Sequence, residues 1–251
     1  MSLVVTDAIV LHAFDYRETS RILRLATREA GVRSVIARGA RRPKNRFGAA
    51  LDLFAEGSAQ LVLHATGDLH ALTAFDVTRA RTALAGSWPR FAAASALSEI
   101  MLRFARDDMQ HGLYEAFAGA LSALETADAD ATATGLAGAW HLVAELGFAP
   151  SLSACASCGA PLKDSASVRF AHRAGGAICA ACAAQAPGAR ELPAVARAAI
   201  AAWIDGGTAP VPDARSTLAH LRLLREFLHE HVADDRALRA FAVWERGDWS
   251  Q

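Results

Sequence analysis

Four cysteines are the residues of this chain whose type and spacing most directly specify chemistry. Cys155-Ala-Ser-Cys158 and Cys179-Ala-Ala-Cys182 form two Cys-x-x-Cys pairs with 20 residues between them, and the chain has no other cysteine. Two intervening residues let the backbone turn and aim both thiolates at one ion, and the spacing lies in the range used by tetrahedral zinc sites. Gly159 and Gly175-Gly176 supply turns that a residue with a Cβ resists. Four protein ligands leave no coordination position for water, so the expected ion is a single structural Zn2+ and not a hydrolytic centre. Copper or iron-sulfur ligation is an alternative, a set of buried thiols or a redox pair is the metal-free reading, and His172 is a spare ligand. A cysteine set confined to one window also fits a reducing compartment better than a disulfide framework.

The second chemical signal is cationic. Arg38, Arg41, Arg42, Lys44 and Arg46 fall in the run Ala37 to Gly48, which also holds Gly39 and Pro43, and no acid intervenes between Glu29 and Asp52. Gly and Pro exclude a long helix, so the run is expected to project as a loop. Guanidinium groups match phosphate oxygens in bidentate geometry, so such a loop suits a nucleic-acid backbone without reading bases; on its own it would equally be a solvated surface. The whole chain balances at 26 basic and 26 acidic residues, but through Arg81 it carries 12 Lys or Arg against 8 Asp or Glu, making the N-terminal third the basic part.

These residues must be held by two kinds of scaffold. From Leu3 to about Val77 the sequence breaks into five short stretches rich in Val, Ile, Leu and Phe: TDAIVLHAFDY, SRILRLATRE, RSVIARGA, SAQLVLHAT and DLHALTAFDV. They predict strands, with hairpin turns at Ala30-Gly31 and Thr66-Gly67-Asp68. Five strands in about 80 residues suit a small barrel such as the OB-fold, or an SH3-like barrel. After Arg81 the texture changes to Ala and Leu spaced by three and four, predicting helices through Phe91–Phe104, Leu113–Leu124, Leu136–Leu146, Pro193–Trp203 and Ala214–His231. The expected architecture is therefore α+β and multidomain: a barrel over residues 1–80, then a helical domain over 81–251 interrupted by a cysteine module at about 152–185. The apolar runs stay short of the roughly 20 residues a membrane span needs, and the start of the chain lacks a secretory pattern, which points to the cytoplasm.

The ordered set AIVLHAFDYRETSRILRLATREAGVRSVIARGARRPKNRFGAALDLF, then GDLHALTAFDV, then CASCGAPL with GGAICAAC, resembles the RecO family of bacterial recombination mediators. The resemblance covers the first domain and the cysteine module, while the helices between match only in character. It implies an N-terminal OB-fold, a helical domain and an inserted zinc finger. It further implies binding to single- and double-stranded DNA, annealing of complementary strands, contacts with RecR and single-strand binding protein, and help in loading RecA at gaps. The place of action would be the nucleoid.

The family hydrolyses no nucleotide, and the chain agrees in lacking GxxxxGK[ST]. Nucleophile-elbow and zinc-protease motifs are missing too, so an enzyme is not expected. Two features depart from a DNA-bound protein: the net charge is zero, and no tryptophan precedes Arg81. Base stacking would fall to Phe14, Tyr16, Phe47 or Phe54, each of which is also a natural core residue. Arg17, Glu18 and Arg21 read as a local charge cluster that orders the first hairpin. An apolar pocket with a cationic rim would suit the acidic tail of single-strand binding protein, and the helix with Leu218, Leu221, Arg222, Leu224, Arg225 and Leu228 has those ingredients. A zinc-containing RNA-binding or ribosome-associated protein on the same barrel is the second reading, and an unrecognised enzyme the third.

Overall fold

The computed structural model describes residues 2–42, 47, 51–105, 111–127, 130–231 and 237–247. Five strands come first: β1 (Ser2–Tyr16), β2 (Ser20–Thr27), β3 (Gly31–Ala37), β4 (Glu56–Leu63) and β5 (Leu69–Arg79). They pair in the ring β1-β2-β3-β5-β4, and β4 returns to β1, so the sheet closes into a barrel. All pairs are antiparallel except β3 with β5, where Ser34 lies opposite Leu69 and Ile36 opposite Ala71. Closure removes the free strand edges of an open sheet. Both expected turn glycines are in the left-handed region, Gly31 at φ 67° and Gly67 at φ 88°.

Val10, Leu23, Leu25, Val35, Leu61, Leu72 and Phe75 fill the barrel. Truncating one such Leu to Ala typically costs about 2–5 kcal/mol. One irregularity in β1 matters for the site. Val10 pairs with Leu25 but His12 pairs with Arg24, so Leu11 is an extra residue in the strand. Ala8 and Val10 point inward before this bulge, and Ala13 packs on the interior after it. Ile9 and Leu11 thus face outward into the core of the helical domain, and Phe14 faces outward into solvent.

The helical part comprises α1 (Thr82–Ala85), α2 (Trp88–Phe104), α3 (His111–Thr126), α4 (Ala131–Glu145), α5 (Ala180–Ala183), α6 (Ala194–Ile204), α7 (Ala214–His231) and α8 (Arg239–Arg246). Pro89 sits in the first turn of α2, and Asp130 caps α4 by accepting from the Ala133 N–H at 2.9 Å. Leu97, Ile100, Phe117, Leu136, Trp140, Trp203 and Phe227 are fully buried in one core, which also takes in Ile9, Leu11, Ala26, Val32 and Phe54 from the barrel side. None of the described helices is long and apolar enough to cross a membrane. Between α4 and α6 lies a three-stranded sheet in the order β7-β6-β8, built from β6 (Val168–Ala171), β7 (Gly176–Ile178) and β8 (Arg190–Leu192).

Arg81 joins barrel to helices. Its side chain is wholly out of solvent, and its guanidinium donates to Glu56 Oε2 of β4 at 2.5 Å, to Glu125 Oε2 of α3 at 2.9 Å and to Ser122 Oγ at 3.1 Å. A second junction lies at Arg28, which pairs with Asp7 and Glu115 and stands 4.6 Å from the ring centre of the buried Tyr114.

Candidate metal centre and nucleic-acid interface

The cysteine module is organised by backbone hydrogen bonds before any ion is considered. The Cys155 N–H donates to Ala160 O at 2.8 Å and the Gly159 N–H returns to Cys155 O at 2.8 Å, which folds the first pair into a tight knuckle with Gly159 at φ 74°. The second pair begins where β7 ends: Cys179 opens α5, and Cys182 lies one turn on. Gly176 lets β7 approach the first knuckle, since a Cβ there would stand 2.2 Å from Ser151 O, and the Ala177 N–H donates to that same oxygen at 2.8 Å.

The four Sγ atoms lie within 4.8 Å of one another, with Cys158 and Cys179 at 3.8 Å, and all four cysteines are free thiols. Tetrahedral ligation at about 2.3 Å places sulfurs about 3.8 Å apart, so the residues fit one metal ion. The electrostatics point the same way. The Cys179 backbone N–H, 3.3 Å from Cys155 Sγ, draws the Cys155 pKa down to about 6, whereas hydrogen bonding to Cys179 and then to the other two thiols pushes Cys182 up to about 12. Four sulfurs this close resist full ionisation until a cation neutralises them. His172, the spare ligand, is elsewhere: its Nε2 is 3.2 Å from Glu226 Oε2 on α7, and burial holds its pKa below the usual histidine value.

The module is fastened to α7. Phe170 of β6 is fully buried with its ring 5.9 Å from that of Phe227, and Arg190 of β8 makes two hydrogen bonds to Glu226, at 2.8 and 2.7 Å. Beside this seam β8, α6 and α7 enclose a cavity of about 470 Å³ lined by Leu192, Val195, Ala199 and Leu223 together with Arg190 and Arg222. Of the α7 residues read from sequence, Leu221, Leu224 and Leu228 are core, Leu218 is exposed, and Arg222 and Arg225 both reach Glu245 of α8.

The basic segment meets the mouth of the barrel. The Arg41 N–H donates to Thr19 O at 3.0 Å and the Arg42 N–H to Gly39 O at 3.0 Å, so the segment turns immediately after β3 and lies against the β1–β2 turn. Arg38 and Arg42 line a concavity of about 560 Å³ with Tyr16 and Arg17 from that turn and with His64 and Leu69 from the ends of β4 and β5. Arg41 instead has its Nε 3.4 Å from Asp15 Oδ2, a carboxylate it shares with Arg21. Lys44 and Arg46 lie outside the described residues. Three separate turns therefore converge on one hollow, and Arg38 and Arg42, two of the three expected cations among the described residues, line it.

Sequence reasoning misses Arg17, His64 and Leu69 as parts of this hollow. Its neighbours Glu18 and Arg21 suggest only a hairpin-ordering role for Arg17, but the Arg17 guanidinium stands 5.2 Å from the Tyr16 ring centre, with its own backbone at φ 53°. Left-handed backbone at a residue with a Cβ is uncommon and marks the turn as specialised. Of the four candidate stacking aromatics, Phe47 and Phe54 are buried, at 3 % and 2 % exposure, whereas Phe14 is 45 % exposed. Phe54 packs edge-on against Phe91 of α2 at 5.6 Å.

Comparison with known proteins bears on both sites. A family model described as "Recombination protein O N terminal" matches residues 1–81, and one described as "Recombination protein O C terminal" matches residues 86–239. The chain is similar to a DNA repair protein RecO from Anaeromyxobacter sp. (strain K), with 36 % identity over 248 residues and 96 % of each chain covered. A second such protein, from Anaeromyxobacter dehalogenans (strain 2CP-1 / ATCC BAA-258), is 37 % identical over 240 residues, 93 % of each chain. A third, from Symbiobacterium thermophilum, is 32 % identical over 245 residues, 97 % of this chain and 92 % of the other.

Proposed function

Since the chain belongs to the RecO family of DNA repair proteins, we propose that it is a non-enzymatic recombination mediator of the RecF pathway. It binds single- and double-stranded DNA, anneals complementary strands, and with RecR helps RecA load at gaps covered by single-strand binding protein. The observation that carries this reading is the hollow at the barrel mouth, where Arg38 and Arg42 stand beside Tyr16 and Arg17 among three turns. Cations at the mouth of an OB-type barrel suit a phosphate backbone, and Arg41, Lys44 and Arg46, which belong to the same basic run of the sequence, complete the proposed set of phosphate-contacting residues. The cavity between α6 and α7 is largely apolar, with Arg190 and Arg222 against one acid, Glu191, among its lining residues, and we assign to it the hydrophobic, acidic tail of single-strand binding protein. Zn2+ is the ion proposed for Cys155, Cys158, Cys179 and Cys182. When bound it supplies a structural cross-link, and the residues around it hold β6–β8 against α7.

The deciding experiment is annealing of complementary strands coated with their single-strand binding protein, run beside binding titrations at several salt concentrations. Annealing by the purified protein, and affinity that falls with salt by a log-log slope of about −0.7 per single-strand phosphate contacted, support the proposal. Lack of annealing with a strong preference for RNA over the same DNA sequence would move the assignment to an RNA-binding protein.

A further inference from the structure

The barrel's outer face carries an apolar strip that the phosphate-binding reading does not use. Phe14 of β1 is opposite Ile22 of β2, and Ile22 is opposite Ile36 of β3. All three point away from the packed interior, Phe14 being 45 % exposed and the two isoleucines half-buried. A lone exposed apolar side chain is ordinary on a protein surface, but here three stand side by side across neighbouring strands, which makes a contiguous strip. Ile36 also lines the hollow that holds Arg38 and Arg42, which makes strip and hollow one continuous surface.

The occupant follows from what surrounds the strip. In the row beside it, Arg24 is opposite His12, whose ring stands 5.8 Å from that of Phe14, and on the other side Arg38 follows the end of β3 two residues after Ile36, so the apolar band runs between two arginines. That alternation matches a strand of nucleic acid whose bases are turned to the protein and whose phosphates lie outside. An aromatic face accepts any base by stacking, but only when the base's own face is uncovered, as it is in a single strand and is not inside a duplex. Other barrel aromatics are otherwise engaged: Phe47 and Phe54 are buried, and the Arg17 guanidinium lies over Tyr16. We propose that Phe14, supported by Ile22 and Ile36, is a stacking platform for an unpaired nucleobase and is the residue by which the barrel prefers single-stranded to duplex DNA. This rests on the DNA-binding reading above and assigns the base-contacting part of that site.

The test uses the full chain with Phe14→Ala and Phe14→Trp, a fluorescein-labelled oligothymidylate and a duplex of equal length. Phe14→Ala is expected to weaken oligothymidylate binding by about 5- to 150-fold, the range for losing one stacked base, while leaving duplex affinity and the salt slope unchanged. Phe14→Trp is expected to keep single-strand affinity and to add indole fluorescence above the parent's own, quenched on binding. Equal oligothymidylate affinity in Phe14→Ala and parent overturns the platform while the phosphate-binding reading stands. So does a matching loss on duplex, or added fluorescence in Phe14→Trp that binding leaves unquenched. If the parent itself binds neither oligonucleotide, the DNA-binding reading fails and the platform with it. Thermal unfolding of both variants guards the comparison, since a half-exposed side chain should be replaceable without loss of the barrel.

Discussion

Arg81 Nη2 and Glu56 Oε2 lie 2.5 Å apart, across the junction between a barrel strand and the first helix, with the arginine side chain entirely out of solvent. Glu125 holds the other guanidinium nitrogen at 2.9 Å. Removing one partner of a buried ion pair strands the remaining charges, at a cost of about 3–5 kcal/mol. Arg81→Met should therefore lower unfolding free energy by that order in urea titration. Adding Glu56→Gln and Glu125→Gln to Arg81→Met should recover part of the loss, because the stranded charge is then gone.

The metal module should fail locally. Cys158→Ala is expected to lose stoichiometric zinc by metal analysis, and hydrogen exchange should lose protection across β6, β7 and β8 while the strands of the barrel keep theirs. Retention of one zinc per chain would count against the four-thiolate site. Gly176→Ala should reproduce the exchange pattern with every ligand intact, because its Cβ would fall 2.2 Å from Ser151 O. Zinc occupancy should also fall as the solution is acidified, since ligation needs deprotonated thiols.

The cations of the basic segment should not be equivalent. Arg38 and Arg42 line the hollow, whereas Arg41 faces Asp15 at 3.4 Å. Arg38→Ala with Arg42→Ala should make the salt slope of single-strand binding shallower by about 0.7 per lost phosphate contact, and weaken all sequences alike. Arg41→Ala should cost less. Titrations at several salt concentrations compare the three proteins, and a slope unchanged in the double variant would remove these two residues from the interface.

Acid sensitivity should centre on His220. Burial lowers its pKa to about 4, and its ring packs edge-on to Trp203 at 4.9 Å. Between about pH 6.5 and that value the unfolded chain binds a proton that the folded chain refuses. Stability therefore rises with pH through this window: it is fully present above about 6.5 and is lost as pH falls toward 4, by up to about 3 kcal/mol. Denaturant midpoints at pH 4.5 and 7.5 should differ less in His220→Phe than in the parent.

Much of the fold was legible because its signals are local. Strand by strand, Val, Ile and Leu with glycine turns marked five strands, and Ala and Leu at helical spacing marked the longer helices. The clustering of the cysteine quartet was legible because two Cys-x-x-Cys pairs at this spacing are the pattern that brings four thiols to one point, and their Sγ atoms lie within 4.8 Å of one another. What escaped was long-range or hidden by short length. Ser34 opposite Leu69, the pairing that closes the barrel, joins residues no periodicity connects. Strands β6, β7 and β8 span four, three and three residues, too few for a pattern. Arg81 reads as one more charge near a turn, and only its distant partners Glu56 and Glu125 make it a buried clamp. His64 and Leu69 carry no nucleic-acid signal; the fold alone brings them beside Arg38.

The bulge at Leu11 has a consequence for how length variation in this strand should be read. A residue gained or lost in an ordinary loop changes only reach, whereas the extra residue here resets the sidedness of everything up to the turn. Were the same residues to run in unbroken alternation with Leu11 paired, Ala13 would be carried to the surface and Phe14 to the barrel interior, where Ala8 and Val10 already occupy its parity. In comparing related chains, a one-residue gap at Leu11 therefore leaves Ala13 inward and Phe14 outward, because His12 then follows Val10 in regular alternation, and what it removes is an apolar side chain facing the helical domain.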